Sequence, residues 1–161
     1  HELEEVFIYD ATKKRRSVTS TRGALNGYQK GRCFYCSADL RLLGEDFNTE
    51  VDHFFPHKLK KSFTHLNLDG VWNLVLACRG CNRGINGKSD RIPSTDLLAL
   101  LHKRNEYLIE SNHPLKETLI NQTGTTEPNR RDFLKNIYQQ VQLNPSTTWK
   151  PLASQFYLFK D

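Results

Sequence analysis

The chain contains no methionine at all. With no initiator in it, the expectation is a fragment, a processed product or an excised domain whose partner domains or subunits lie elsewhere. It also lacks an apolar run of the roughly 20 residues that a membrane helix needs. Its acidic first segment, HELEEVFIYD, has no apolar stretch of the kind a secretory signal carries. A membrane-spanning helix is thereby excluded, and a cytoplasmic setting is expected. Low-complexity segments and internal repeats are absent, apart from one duplicated cysteine motif. Cysteine itself is scarce, with four in 161 residues.

What remains suits one globular domain, or a core with a helical extension: 37% hydrophobic residues and a mean hydropathy of −0.63. The formal charge is +5. That favours an acidic partner such as nucleic acid, although many basic proteins bind none. The basic residues cluster as KKRR at 13–16, HKLKK at 57–61 and NRR at 129–131. For KKRR, solvated surface and phosphate contact stand level.

The four cysteines form two C-x2-C pairs, CFYC at 33–36 and CRGC at 78–81, with 41 residues between Cys36 and Cys78. Each pair sets two thiolates on one tight turn, as a tetrahedral zinc site needs, and two pairs point to zinc more strongly than one. Disulfides and a redox dithiol rank behind it, because nothing in the chain indicates secretion. The gap exceeds that of a simple zinc ribbon, so a substantial element must sit between the knuckles.

Local patterns divide the chain further. Residues 3–9 read as a strand or a helix start, and 11–22 as a basic loop. GALNGYQKGRC carries a short helix into the first knuckle, stopping near Gly31. FNTEVDHFFP alternates like a strand and is stopped by Pro56. KLKKSFTHLNLDG is a polar connection, and VWNLVLA at 71–77 is the clearest strand. NRGINGKSDR reads as a short helix with an irregular end. IPSTDLLALLHKRNEYLIES, HPLKETLINQ and RRDFLKNIYQQVQ show helical spacing, and ASQFYLFK is a last apolar piece. Three segments result: an extension at 1–27, a zinc-knuckle core at 28–92 and a helical region at 93–161.

The octapeptide VDHFFPHK at 51–58 carries the chemical question. Asp52 and His53 stand among Val51, Phe54, Phe55 and Pro56, and something must compensate them. In isolation Asp52 reads as a strand-end cap and His53 as a hydrogen-bonded surface histidine. CFYC, VDHFFPH, WNLVLACRGCN and the following GKSD together resemble the HNH endonuclease family, the ββα-metal nucleases, over residues 28–92. VDHFFP and NRG…KSDRIPS are also similar to the HNH domain of CRISPR RNA-guided effectors. The chain departs from that pattern by three extra residues, Ile85-Asn86-Gly87, which are expected to distort the end of the helix.

The resemblance implies an α+β fold, a zinc-stapled ββα core followed by a largely helical region. It implies that His53 is the general base, that Asp52 and Asn82 bind a catalytic Mg²⁺ or Mn²⁺, and that Asn73 braces the loop and the histidine. The four cysteines Cys33, Cys36, Cys78 and Cys81 would hold a structural Zn²⁺. The implied reaction is hydrolysis of DNA, in the setting of a larger prokaryotic defence or restriction protein. Elementary chemistry agrees with it. Phosphodiester hydrolysis accumulates negative charge that a hard, oxygen-ligated cation offsets, and a neutral imidazole suits activation of water near pH 7. Lys58, Arg79, Arg83 and Lys88 are candidates for nucleic-acid contact, and equally for solvated charge. His57 reads first as a basic loop residue, with a phosphate contact or a third metal ligand as the alternatives. Two other readings stand beside this one: a non-catalytic zinc-knuckle binding module and an RNA-cutting toxin domain.

Overall fold

The computed structural model describes residues 7–9, 15–17, 25–42, 44–141 and 148–152. The described residues form a mixed α and β structure with two antiparallel two-stranded sheets and five α-helices. Strand β1 (Phe7–Tyr9) pairs with β2 (Arg15–Ser17), so the basic segment expected to be a loop contributes a strand. Helix α1 covers residues 25–29 and leads into the first cysteine pair. Gly31 follows at φ 74°, a left-handed turn that glycine takes without strain. The apolar piece at 153–160 lies outside the described residues.

The central unit is a hairpin with a helix. Strand β3 (Thr49–His53) pairs antiparallel with β4 (Leu74–Cys78), with Thr49 opposite Cys78 and His53 opposite Leu74. Helix α2 (Arg79–Arg83) follows β4 directly. The connection between the strands starts at Pro56 and holds a 3-10 turn at His57–Lys61. The outer edge of β4 is covered rather than open. Leu76 receives Phe34 N–H, and the buried Gln29 amide both donates to and accepts from its backbone.

The strand expected at 71–77 begins later. Val71–Asn73 is a 3-10 turn, and the ladder starts at Leu74. Apolar composition predicts burial there, and all three residues are buried. The carbonyls of Val71 and Trp72, however, are claimed from another element, together with that of Leu74. Arg104 is wholly buried and donates to the carbonyls of Leu74 (2.7 Å), Val71 (3.0 Å) and Trp72 (3.3 Å). Loss of hydration pulls its pKa down to about 10, so the cation persists at neutral pH.

Arg104 belongs to α3 (Thr95–Glu110), which is followed by α4 (Lys116–Thr123) and α5 (Glu127–Val141). Leu97, Leu100, Leu101 and Leu108 of α3 share one hydrophobic core with the hairpin and the first knuckle. A chain of aromatic rings spans it, from Tyr35 through Phe34, Phe54, Phe55 and Trp72 to Phe133 of α5. Phe54 and Phe55 are fully buried, which is how the octapeptide seats its strand. No helix among the described residues is long and apolar enough to cross a membrane.

Candidate active site and metal centre

The cysteine cluster is built by two tight turns. In the first, Ser37 N–H reaches the carbonyl of Cys33 and Cys33 N–H that of Ala38, with Ser37 at φ 64°. In the second, β4 ends at Cys78 and α2 begins, and Cys81 N–H points at the Cys78 sulfur. Cys78 N–H points at Cys33 Sγ, tying the two turns together. All four Sγ atoms lie within 4.8 Å of one another. Cys36 and Cys78 are 3.9 Å apart at sulfur. Four thiolates at a Zn–S distance of about 2.3 Å have tetrahedral edges of about 3.8 Å, so the spacing fits zinc. It exceeds the roughly 2 Å of a disulfide, and all four cysteines are free. A hydrogen bond from Cys33 draws Cys36 down to about 7, while Cys33 rises. The cluster is compatible with a zinc site.

The hairpin separates Asp52 from His53. Alternation along β3 sends Glu50 and Asp52 to one face, and Thr49, Val51 and His53 to the other. Asp52 is buried, and its Oδ2 accepts from Tyr35 Oη (2.6 Å) and pairs with Lys88 Nζ (3.2 Å). Lys88 was expected at the surface, facing phosphate or solvent. It is instead fully buried, and its ammonium also donates to the His53 carbonyl at 2.8 Å. Burial raises the Asp52 pKa and lowers that of Lys88, each opposed by the other's charge.

The route by which Lys88 arrives bears out the expected irregular helix end: α2 stops at Arg83, and Gly84 is already extended. Gly84 N–H bonds the carbonyl of Gly80, the ordinary helical partner. Cys81 and Asn82 carbonyls would next take residues 85 and 86, but they accept from Lys88 and Ser89. Ile85-Asn86-Gly87 is therefore looped out, and Lys88 and Ser89 fold back onto carbonyls of α2 from outside the helix, with Ser89 at φ 48°. The loop is pinned by Gly87 N–H on Gly84 O and by Trp149 Nε1 on Asn86 O. A Cβ on Gly87 would stand 2.7 Å from Gly84 N and 2.8 Å from Gly80 O, so only glycine fits.

His53, the last residue of β3, lies on the other face, against the interstrand connection. Its Nε2 is 2.7 Å from Asp69 Oδ1, and Lys60 Nζ is 2.5 Å from Asp69 Oδ2. Burial works to raise the Asp69 pKa, but hydrogen bonds from His53 and Lys60 outweigh it and bring it to about 2. His57 packs its ring against His53 at a centroid distance of 5.6 Å, and its Nε2 is sealed without a partner. Asn73 is fully buried. It accepts from Phe55 N–H and donates to the carbonyls of Phe55 and Leu68, clasping both ends of the connection.

Asn82 is held apart from Asp52 in its contacts: its amide donates to Glu50 Oε2 at 2.7 Å. Glu50 Oε1 takes Arg83 (2.7 Å) and Arg79 (3.3 Å). Arg79, Arg83 and Lys58 are exposed, and His57 is half-buried. Sequence reasoning missed Glu50, Tyr35, Lys60 and Asp69. The one local signal was the position of Asp69 beside Gly70 in a turn dipeptide.

A second group, His102, Glu106 and Glu127, brings its ligand atoms within 4.8 Å. Arg130 already holds Glu106 through two bonds, and His102 holds Glu127, so it reads as an ion-pair clasp between α3 and α5. No family model, curated protein or solved structure matches the chain.

Proposed function

We propose that the chain is a metal-dependent endonuclease domain of the HNH type that hydrolyses DNA. The observation that carries the reading is the β3–β4–α2 unit. It sets a carboxylate-paired His53, the bracing Asn73, Asp52 and Asn82 on one hairpin-and-helix scaffold closed by the cysteine cluster. In this reading His53 takes the proton of the attacking water. Asn73 fixes the segment from which His53 projects. Cys33, Cys36, Cys78 and Cys81 hold zinc as a structural clamp on a unit with little core of its own.

Asp52 and Asn82 are the residues that would hold a catalytic Mg²⁺ or Mn²⁺. Their donor set is right for a hard cation, and neither Oδ1 atom enters a described hydrogen bond. When bound, such an ion offsets charge on the phosphate and the departing oxygen. The positive net charge and the exposed Arg79 and Arg83 suit a polyanionic substrate.

One observation favours a second reading, a non-catalytic binding module: Asp52 already has a cation in Lys88, and Asn82 is engaged by Glu50. Supercoiled plasmid incubated with Mg²⁺ or Mn²⁺, and in parallel with EDTA, separates the two. Nicking or linearisation that EDTA stops, and that His53→Ala abolishes with zinc content unchanged, is the expected result. An intact plasmid under every divalent ion, with retained DNA binding, favours the binding module. Labelled RNA beside labelled DNA identifies the polymer.

A further inference from the structure

Asp69 is the acidic partner of the one histidine that the proposed chemistry uses. It sits 16 residues beyond His53, at the far end of the interstrand connection. Three anchors fix that end before any substrate arrives. Trp72 Nε1 donates to Asn67 O, and Asn73 Nδ2 donates to Leu68 O. Gly70 leaves no room for a side chain, since a Cβ there would stand 2.7 Å from the Trp72 ring and 3.0 Å from Asn67 O. Lys60 Nζ holds the second carboxylate oxygen from the 3-10 turn. The carboxylate is therefore built to one position, with one oxygen assigned to a lysine and the other to a histidine.

An ionised carboxylate only accepts hydrogen bonds, and Asp69 is ionised at any ordinary pH. A nitrogen 2.7 Å from such an oxygen must carry the hydrogen. The other ring nitrogen, Nδ1, enters no described hydrogen bond and is not among the sealed atoms. The His57 ring, packed crosswise at 5.6 Å, lies against the imidazole and opposes its reorientation.

We propose that Asp69 is the positioning residue for His53, holding the imidazole as the Nε2–H tautomer so that Nδ1 is the nitrogen that takes the proton from water. The assignment rests on the nuclease reading for its consequence, though not for its geometry. In the step itself a water O–H bond breaks, its proton goes to Nδ1, and the oxygen forms the new bond to phosphorus while the leaving oxygen departs with its electron pair. Asp69 exchanges no proton. It keeps the accepting nitrogen bare and aimed.

The test uses the full chain with zinc bound and nitrogen-15-labelled histidine. Two-bond proton–nitrogen spectra, at a pH where the ring is neutral, report the tautomer of His53. Its signals are assigned by their loss in His53→Ala. The wild type is expected as the Nε2–H form, and Asp69→Asn as a mixture of both tautomers. Plasmid cutting by Asp69→Asn is expected to fall about 100-fold in kcat, with KM for DNA unchanged to within about two-fold. A wild-type ring in the Nδ1–H form overturns the proposal without any variant, so misfolding of Asp69→Asn cannot shield it. An unchanged tautomer and an unchanged rate in a folded Asp69→Asn overturn it as well. If the wild type cuts nothing, the nuclease reading falls, while the spectra still decide the tautomer.

Discussion

Asn73→Ala tests how much the site depends on one buried amide. Asn73 is wholly sealed from solvent, and its side chain satisfies three backbone groups: Phe55 N–H at 2.8 Å, Phe55 O at 3.0 Å and Leu68 O at 2.9 Å. Alanine removes all three partners and supplies none. Each orphaned buried group costs about 1–3 kcal/mol, and partial relaxation keeps the sum near 4–6 kcal/mol. That is a large share of the roughly 5–15 kcal/mol by which domains of this kind are folded. With a urea slope of about 2 kcal/mol per molar, the midpoint falls by about 2–3 M. The assay is urea unfolding with zinc bound, followed by fluorescence of Trp72 and Trp149, both buried. Asn73→Asp is the informative control. It still accepts from Phe55 N–H, but it turns a negative oxygen toward two carbonyls, so it should be no more stable than the alanine variant. A midpoint shift below about 0.5 M for Asn73→Ala would refute the clasp as an energetic device and leave Asn73 as a passive turn residue.

Metal analysis of the purified chain should find about one zinc, and a strong chelator should unfold the hairpin unit, because binding and folding free energy are then the same quantity. Cys78→Ser should lose both zinc and the far-ultraviolet circular dichroism of the native state. Lys88→Met should cost about 3–5 kcal/mol in urea titration, since it strands a buried carboxylate, and adding Asp52→Asn should recover much of that loss. Deleting residues 85–87 should leave the zinc content unchanged and cost at most about 2 kcal/mol, because Lys88 and Ser89 already occupy the hydrogen-bonding places of the next helical residues. Gly87→Ala, a smaller change on paper, should cost at least as much, because its Cβ meets backbone atoms that cannot step aside.

Sequence patterns located what is local. The alternation around Asp52, the two C-x2-C turns and the 3.6-residue spacing of α3 and α5 each depend on neighbours a few residues away. All reappear in the structure with modest boundary shifts. What escaped is non-local. Arg104 claims the carbonyls of Val71, Trp72 and Leu74 from another element, a partnership invisible in an apolar run. Asp69 and Lys60 stand in a connection whose polarity said only that it was exposed, yet they close around His53. Lys88 looked like one more surface lysine. Its burial depends on three residues being looped out, and that in turn depends on the carbonyls of Cys81 and Asn82 finding donors further along. A spacing rule counts residues along the chain, whereas the hydrogen bonds from Lys88 and Ser89 reach back over the insert to α2.

The adjacency of Asp52 and His53 has a physical consequence in the strand. An extended strand must send them to opposite sides, so one carboxylate enters the interior and one imidazole faces the connection. Burying a carboxylate without a countercharge is prohibitive, and Lys88 supplies one at Asp52 Oδ2, assisted by the Tyr35 hydroxyl. That same ammonium holds the backbone carbonyl of His53. One buried cation therefore fixes the inward residue by its side chain and the outward residue by its backbone. A buried ion pair is weak evidence for net stability, but a strong way to enforce one register, because a one-residue slip of β3 would bring His53 to the ammonium and turn the carboxylate away. Lys88 thus contributes to the site from inside. It decides which face of the strand Asp52 and His53 occupy, and under the proposed function it leaves contact with a polyanion to the exposed Arg79, Arg83 and Lys58.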